Sequence, residues 1–176
     1  QSLKRQDGAP VYHGSMELIP DEQGILLVNE LCLEEYLKGV VPSEMPVSFG
    51  VEALKVQAVC ARSYAYKHLT NVGYALYGAH VDDSTQFQVY NNNLEFDASN
   101  QAILATKGEM LRYGDDVVQA YYYSTSCGSG TDVTLWGSSK ESYPYYESRD
   151  IGSSERNINY MDEKSFASFI KQKYDS

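Results

Sequence analysis

The sequence predicts an α+β fold, on two kinds of signal: a pair of β-hairpin patterns and several separate helical runs between and after them. Residues 1–10 are polar, with Gly8 and Pro10, and read as a loose lead-in. Residues 11–176 are expected to form one compact domain of hairpins packed with helices.

The elements follow in order. From Val11 to Asn29 two β-type runs flank Pro20-Asp21-Glu22-Gln23-Gly24, a hairpin signal. Leu33 to Val41 reads as a short helix that must end near Pro42. Val51 to Thr70 is the clearest helix, with Leu54, Ala58, Ala61 and Ala65 recurring at helical spacing toward a core. Lys55 and Arg62 fall two turns apart on one face of it, and Tyr66 continues that face. Asp97 or Ser99 can cap a further helix to about Lys107. A second hairpin spans Glu109 to Tyr113 and Val117 to Thr125 across Gly114-Asp115-Asp116, and leads into a Gly/Ser loop at 126–131. A last helical run, Lys164 to Tyr174, stops abruptly at Ser176, as a cut through a longer protein would.

Composition narrows the function classes. The 176 residues are 43% hydrophobic and 22% charged, enough apolar material for a folded core. A net charge of -10 repels nucleic acid phosphates and anionic lipid, and suits a neutral glycan or a cationic protein. Sixteen tyrosines suit half-exposed surfaces, core faces or stacking on sugars. Cys32 and Cys60 sit in apolar contexts and read as small buried hydrophobes, with Cys127 making an odd count. No apolar stretch approaches the roughly 20 residues of a membrane span, and the chain opens at Gln1 without a signal peptide.

Four places could carry chemistry. Glu44 lies between Pro42 and Pro46 among Val41, Met45, Val47 and Phe49; apolar surroundings would favour its protonated form, as a general acid requires. Its alternative is an exposed turn residue. Cys127 in Ser124-Thr125-Ser126-Cys127-Gly128 could pair with His13, His68 or His80 as a nucleophile, although no spacing selects one of them. His80, Asp82 and Asp83 make a thin metal cluster that reads better as a solvated acidic loop. Gly128-Ser129-Gly130-Thr131 lacks the lysine of a phosphate-binding loop.

Five blocks in order give the sequence a resemblance. They are Leu33 to Pro46, Glu52 to Ala65, Asp83 to Tyr90, Thr106 to Leu111, and Tyr123 to Gly128 followed by Trp136-Gly137. Together, over residues 30–150, they resemble the stage II sporulation protein D (SpoIID/LytB) family. The resemblance implies a lytic transglycosylase acting on peptidoglycan glycan strands stripped of stem peptides, beside a cell-wall amidase and outside the cytoplasm. It places the catalytic acid/base on Glu44. It places substrate-binding residues on Lys55, Gln57, Arg62 and Tyr64, and on Ser124, Ser126, Cys127 and Gly128 of the loop. Arg62 and Lys55 would meet the lactyl carboxylate of muramic acid. Some relatives hold zinc through His and Cys near residues 80–90; this sequence keeps His80 but has no cysteine there, so neither metal nor other cofactor is expected. The alternative within the same family is a non-catalytic glycan-binding or amidase-enhancing module.

Overall fold

A computed structural model describes residues 11–70, 72–84, 86–90, 95–123, 129–130 and 132–150. The chain divides into two compact units, Gln1–Tyr122 and Tyr123–Ser176. The arrangement is α+β, as the sequence predicts.

The first unit opens with a hairpin. Strand β1 (Ser15–Asp21) pairs antiparallel with β2 (Gly24–Glu30), in a register that sets Leu18 opposite Leu27 and Asp21 opposite Gly24. Helix α1 (Leu33–Glu44) follows and carries Pro42 inside its last turn. The sequence predicts an end near that proline, but the helix runs two residues further. Pro42 forfeits one N–H, yet the neighbouring Val41 is fully buried and its carbonyl accepts the Met45 N–H at 3.0 Å, which closes the final turn. This extension places Glu44 at the helix end. A 3-10 turn (Val47–Phe49) leads to α2 (Val51–Leu69), where Glu52 in the first turn and Lys67 and His68 in the last suit the helix dipole. After a short turn at Ala75–Tyr77 comes α3 (Asp97–Ala105). Neither Asp97 nor Ser99 caps α3 as expected; Phe96 holds the cap position, and buried Ser99 donates back to the Phe96 carbonyl at 2.9 Å.

The core lies where the three helices meet. Leu37, Val40 and Val41 of α1 pack with Leu54, Ala58 and Ala61 of α2 and with Ala102 and Ile103 of α3. Ala65 is also buried, so the four apolar α2 positions read from periodicity all face inward. Gly39 is needed at the α1 surface because the Tyr90 ring lies where a Cβ would be, with a ring carbon 2.2 Å from that position.

The second hairpin is shorter than the sequence suggests. Only β3 (Arg112–Tyr113) and β4 (Asp116–Val117) pair, around a two-residue turn that Gly114 enters at φ 59°. Val118 still donates its N–H across the hairpin to the Leu111 carbonyl at 2.9 Å, and residues 118–123 are in no regular strand. Cys32 also departs from expectation: it precedes α1 at the cap position and is exposed, whereas Cys60 is half-buried and burial pushes its thiol up.

In the second unit, Asp132 caps a 3-10 turn (Val133–Trp136) by accepting the Thr134 N–H, and Lys140 pairs with it at 2.7 Å. Those two partners hold the Asp132 carboxyl at about 2. A bridge joins Ser129 to Asp150. The final helical run and residues 124–128 fall outside the described residues.

Candidate functional site

Glu44 does not sit among the apolar side chains that flank it in sequence. Val41 turns into the core, and Phe49 is 66% exposed. The carboxylate meets polar groups instead. Its Oε1 accepts the Val89 backbone N–H at 2.7 Å, and the Tyr122 phenol lies close enough to feel its charge. Tyr36 of α1 and Tyr64 of α2 are close enough to feel its charge. Among the described residues no cation pairs with Glu44.

The tyrosines around Glu44 stay protonated. Burial is the largest reason that Tyr36, Tyr64 and Tyr122 all lie above the ordinary phenol range. The negative charge of Glu44 adds to it in each case, because a phenolate beside a carboxylate is repelled. The side chains of 121–123 alternate as in an extended segment: Tyr121 and Tyr123 are 48% and 53% exposed, while Tyr122 turns inward.

Behind these rings lies Gln88, 1% exposed. Its Oε1 accepts from the Tyr36 hydroxyl at 3.3 Å, and its Nε2 donates to the Ala61 carbonyl at 3.3 Å and to Tyr122 Oη at 3.0 Å. Tyr64 packs on His68 at 4.6 Å and edge-on against Tyr121 at 5.9 Å, with Phe87 behind His68 at 5.3 Å. Burial holds the His68 imidazole below its usual range. Sequence reasoning missed Tyr36, Gln88 and Tyr122 as members of this site. The block holding Gln88-Val89-Tyr90 was the available signal, but nothing in its spacing pointed at Glu44.

Helix α2 separates the expected substrate residues onto two faces. At roughly 100° per residue, Gln57, Ala61 and Tyr64 share the face toward Glu44. Gln57 is 5% exposed, and its Nε2 has no hydrogen-bond partner among the described residues. Lys55 and Arg62 do share one face, but it is the opposite one. Arg62 is fully buried. It grips Glu34 with Nε to Oε1 at 2.8 Å and Nη2 to Oε2 at 2.9 Å. Its remaining donors reach the carbonyls of Ala58, Ile103 and Glu109 at 3.5, 3.2 and 3.1 Å. With every N–H so committed, Arg62 has no free fork for a muramic carboxylate; its place is structural, tying α1 and α3 to α2. Lys55 pairs with Glu52 at 2.8 Å and lines a shallow groove of about 320 Å³ with Cys60 and Glu109.

The remaining candidates have other duties. His13 bridges Glu35 and Glu95. Asp82 accepts the Ser84 N–H at 2.8 Å and the Tyr74 hydroxyl, so both its oxygens close a local turn. Among the described residues His80, Asp82 and Asp83 do not gather into a group that could hold a metal ion. Ser124, Ser126, Cys127 and Gly128 lie outside the described residues. Among the described residues no helix is long and apolar enough to cross a membrane.

Residues 21–113 match the profile of the SpoIID family, described as stage II sporulation protein. The chain belongs to the SpoIID family. The match covers every element from β2 to β3, and with them Glu44, Gln57, Tyr64 and Gln88. SpoIID-family similarity extends to individual proteins. The chain is 42% identical over 135 residues to an uncharacterized protein of Brachyspira hyodysenteriae, covering 74% of this chain and 36% of that protein. It is 42% identical over 105 residues to an amidase enhancer of Bacillus subtilis, covering 58% of this chain and 14% of that protein. It is 33% identical over 135 residues to stage II sporulation protein D of the same organism, covering 69% and 39%. The chain therefore spans well under half the length of these relatives.

Proposed function

We propose that this SpoIID-family chain is a lytic transglycosylase, cleaving denuded peptidoglycan strands between N-acetylmuramic acid and N-acetylglucosamine. The observation that carries the reading is the Glu44 carboxylate, half-buried at the end of α1, fixed by one backbone N–H, ringed by tyrosines and unpaired with any cation among the described residues. A cation there would hold the carboxylate ionised and spoil it as an acid.

Glycoside cleavage ordinarily needs two carboxylates. One suffices when the attacking group belongs to the substrate. Glu44 protonates the glycosidic oxygen as the bond to the anomeric carbon breaks. The resulting carboxylate then takes the proton of the muramic 6-hydroxyl as that oxygen attacks the same carbon, leaving a 1,6-anhydro end. Val89 N–H on Oε1 favours Oε2 as the oxygen that carries the proton. Gln57 Nε2, buried without a partner among the described residues, offers a donor to a sugar oxygen, and Tyr64 offers a ring edge. Ser124, Ser126, Cys127 and Gly128 remain proposed cleft residues. The substrate places the protein outside the cytoplasmic membrane, where a cell-wall amidase would supply denuded strands.

Mass spectrometry of denuded strands incubated with the chain tests this. Anhydro-muramyl ends from the wild type and none from Glu44→Gln are expected; reducing ends, or equal cleavage by the variant, refute it. A second reading follows from the 42% identity to a protein named amidase enhancer: a glycan-binding module that stimulates an amidase without cutting. Binding without any cleaved product would favour it.

A further inference from the structure

The hydrogen bonds around Gln88 have a fixed direction, and the direction ends at Glu44. An amide side chain can be turned over without changing its shape, but here its neighbours decide. The Ala61 carbonyl can only accept, so the Gln88 atom 3.3 Å from it must be the nitrogen. The oxygen then faces Tyr36, whose hydroxyl must donate to it. The second Nε2 hydrogen goes to Tyr122 Oη at 3.0 Å. That bond occupies Tyr122 as an acceptor and leaves its one proton free. Beside that phenol stands the Glu44 carboxylate, whose charge it feels.

We propose that Gln88 is a positioning residue of the Glu44 site: by donating to Tyr122 Oη it turns the Tyr122 hydroxyl proton onto Glu44. This inference deepens the reading of Glu44 as the acid/base and rests on it. Gln88 is almost wholly buried. It acts through Tyr122. A donor aimed at the carboxylate stabilises the ionised form, the one that must accept the 6-hydroxyl proton in the second half of the reaction. Because Ala61 anchors the amide on the rigid α2 backbone, the Tyr122 proton cannot rotate away toward Gln88. The groups facing Glu44 are Tyr36 from α1, Tyr64 from α2, Tyr122 from the segment after β4, and the Val89 N–H. Burial keeps all three phenols protonated, so none of them competes for the proton while Glu44 changes state.

The test is a double-mutant cycle between Gln88→Met and Tyr122→Phe, read on the ¹³C carboxyl resonance of Glu44, assigned by its loss in Glu44→Gln. Tyr122→Phe removes only a hydroxyl and should displace the Glu44 carboxyl resonance at fixed pH. Gln88→Met should displace it by a smaller amount in the wild type, and not at all in the Tyr122→Phe background. Equal shifts in both backgrounds, or none in either, would overturn the proposal. Should Gln88→Met fail to fold, Tyr122→Phe alone decides, since an unmoved resonance denies that the hydroxyl donates to Glu44. The resonance needs no turnover. If it couples as described while the wild type cuts no glycan, the catalytic reading falls and the positioning stands; if Glu44→Gln abolishes cleavage while the cycle shows no coupling, the reverse holds.

Discussion

Replacing Arg62 by leucine separates two roles that a buried arginine on a helix can have. As a substrate ligand, its loss would weaken glycan binding and leave the fold alone. As the tie the structure shows, its loss is a stability event. The side chain is 1% exposed and Glu34 26% exposed. Removing one member of a buried ion pair costs about 3–5 kcal/mol, because the other charge is left without its partner. Water can still reach a quarter of Glu34, so the lower end, about 3 kcal/mol, is the better figure. The Ile103 carbonyl keeps its bond from Thr106, but the Glu109 carbonyl loses the Arg62 Nη1 donor at 3.1 Å. For a domain of this size roughly 4 °C of Tm accompany each kcal/mol, so Arg62→Leu should melt about 12 °C below the wild type. The assay is thermal unfolding by circular dichroism, with glycan cleavage measured below both transitions. A variant that melts within about 2 °C of the wild type yet loses glycan binding would refute the reasoning and return Arg62 to the substrate. The pH dependence gives a second check. Burial alone would raise the Glu34 carboxyl, but the Arg62 bond and charge, the Gly108 backbone and Lys107 outweigh it and leave it below its ordinary 4.5. A lowered folded-state value means stability present above 4.5 and lost as pH falls through the folded value. The gap between wild type and Arg62→Leu should therefore narrow as the pH is taken below 4.5.

Three further substitutions probe the frame around the site. Gly39→Ala would gain about 1 kcal/mol of helix propensity elsewhere, but here its Cβ meets the Tyr90 ring at 2.2 Å; a net loss of about 1–2 kcal/mol is expected in urea unfolding, recovered in part by adding Tyr90→Val. Ser63→Ala leaves the Leu111 N–H without the hydroxyl that accepts it at 2.8 Å and should cost about 1–2 kcal/mol by the same measurement. Lys55→Ala breaks a helix-surface pair whose Glu52 is 85% exposed and should change stability by less than about 0.5 kcal/mol; a large change in Tm would show that the pair is structural.

The sequence makes the helix faces legible and leaves their partners hidden. Periodicity correctly puts Leu54, Ala58, Ala61 and Ala65 inward, and correctly puts Lys55 and Arg62 together. What it cannot give is which neighbour covers each face. A charged residue on a helix is ordinarily solvated, so nothing local marks Arg62 as buried; only the arrival of Glu34 from α1 and the Ile103 carbonyl from α3 does so. The same limit applies to Glu44. Its flanking apolar residues suggested a dry pocket, but helix α1 runs on through Pro42 and turns them elsewhere. The group that fixes the carboxylate, the Val89 N–H, comes from 45 residues away. A backbone amide has no sequence signature. Nor does the orientation of Gln88, which is set by a carbonyl on α2 that any residue at position 61 would provide. The arrangement around Glu44 thus depends on two backbone groups, the Val89 N–H and the Ala61 carbonyl, whose positions only the folded chain sets; side-chain identity at Glu44 and Gln88 then determines which bonds they make.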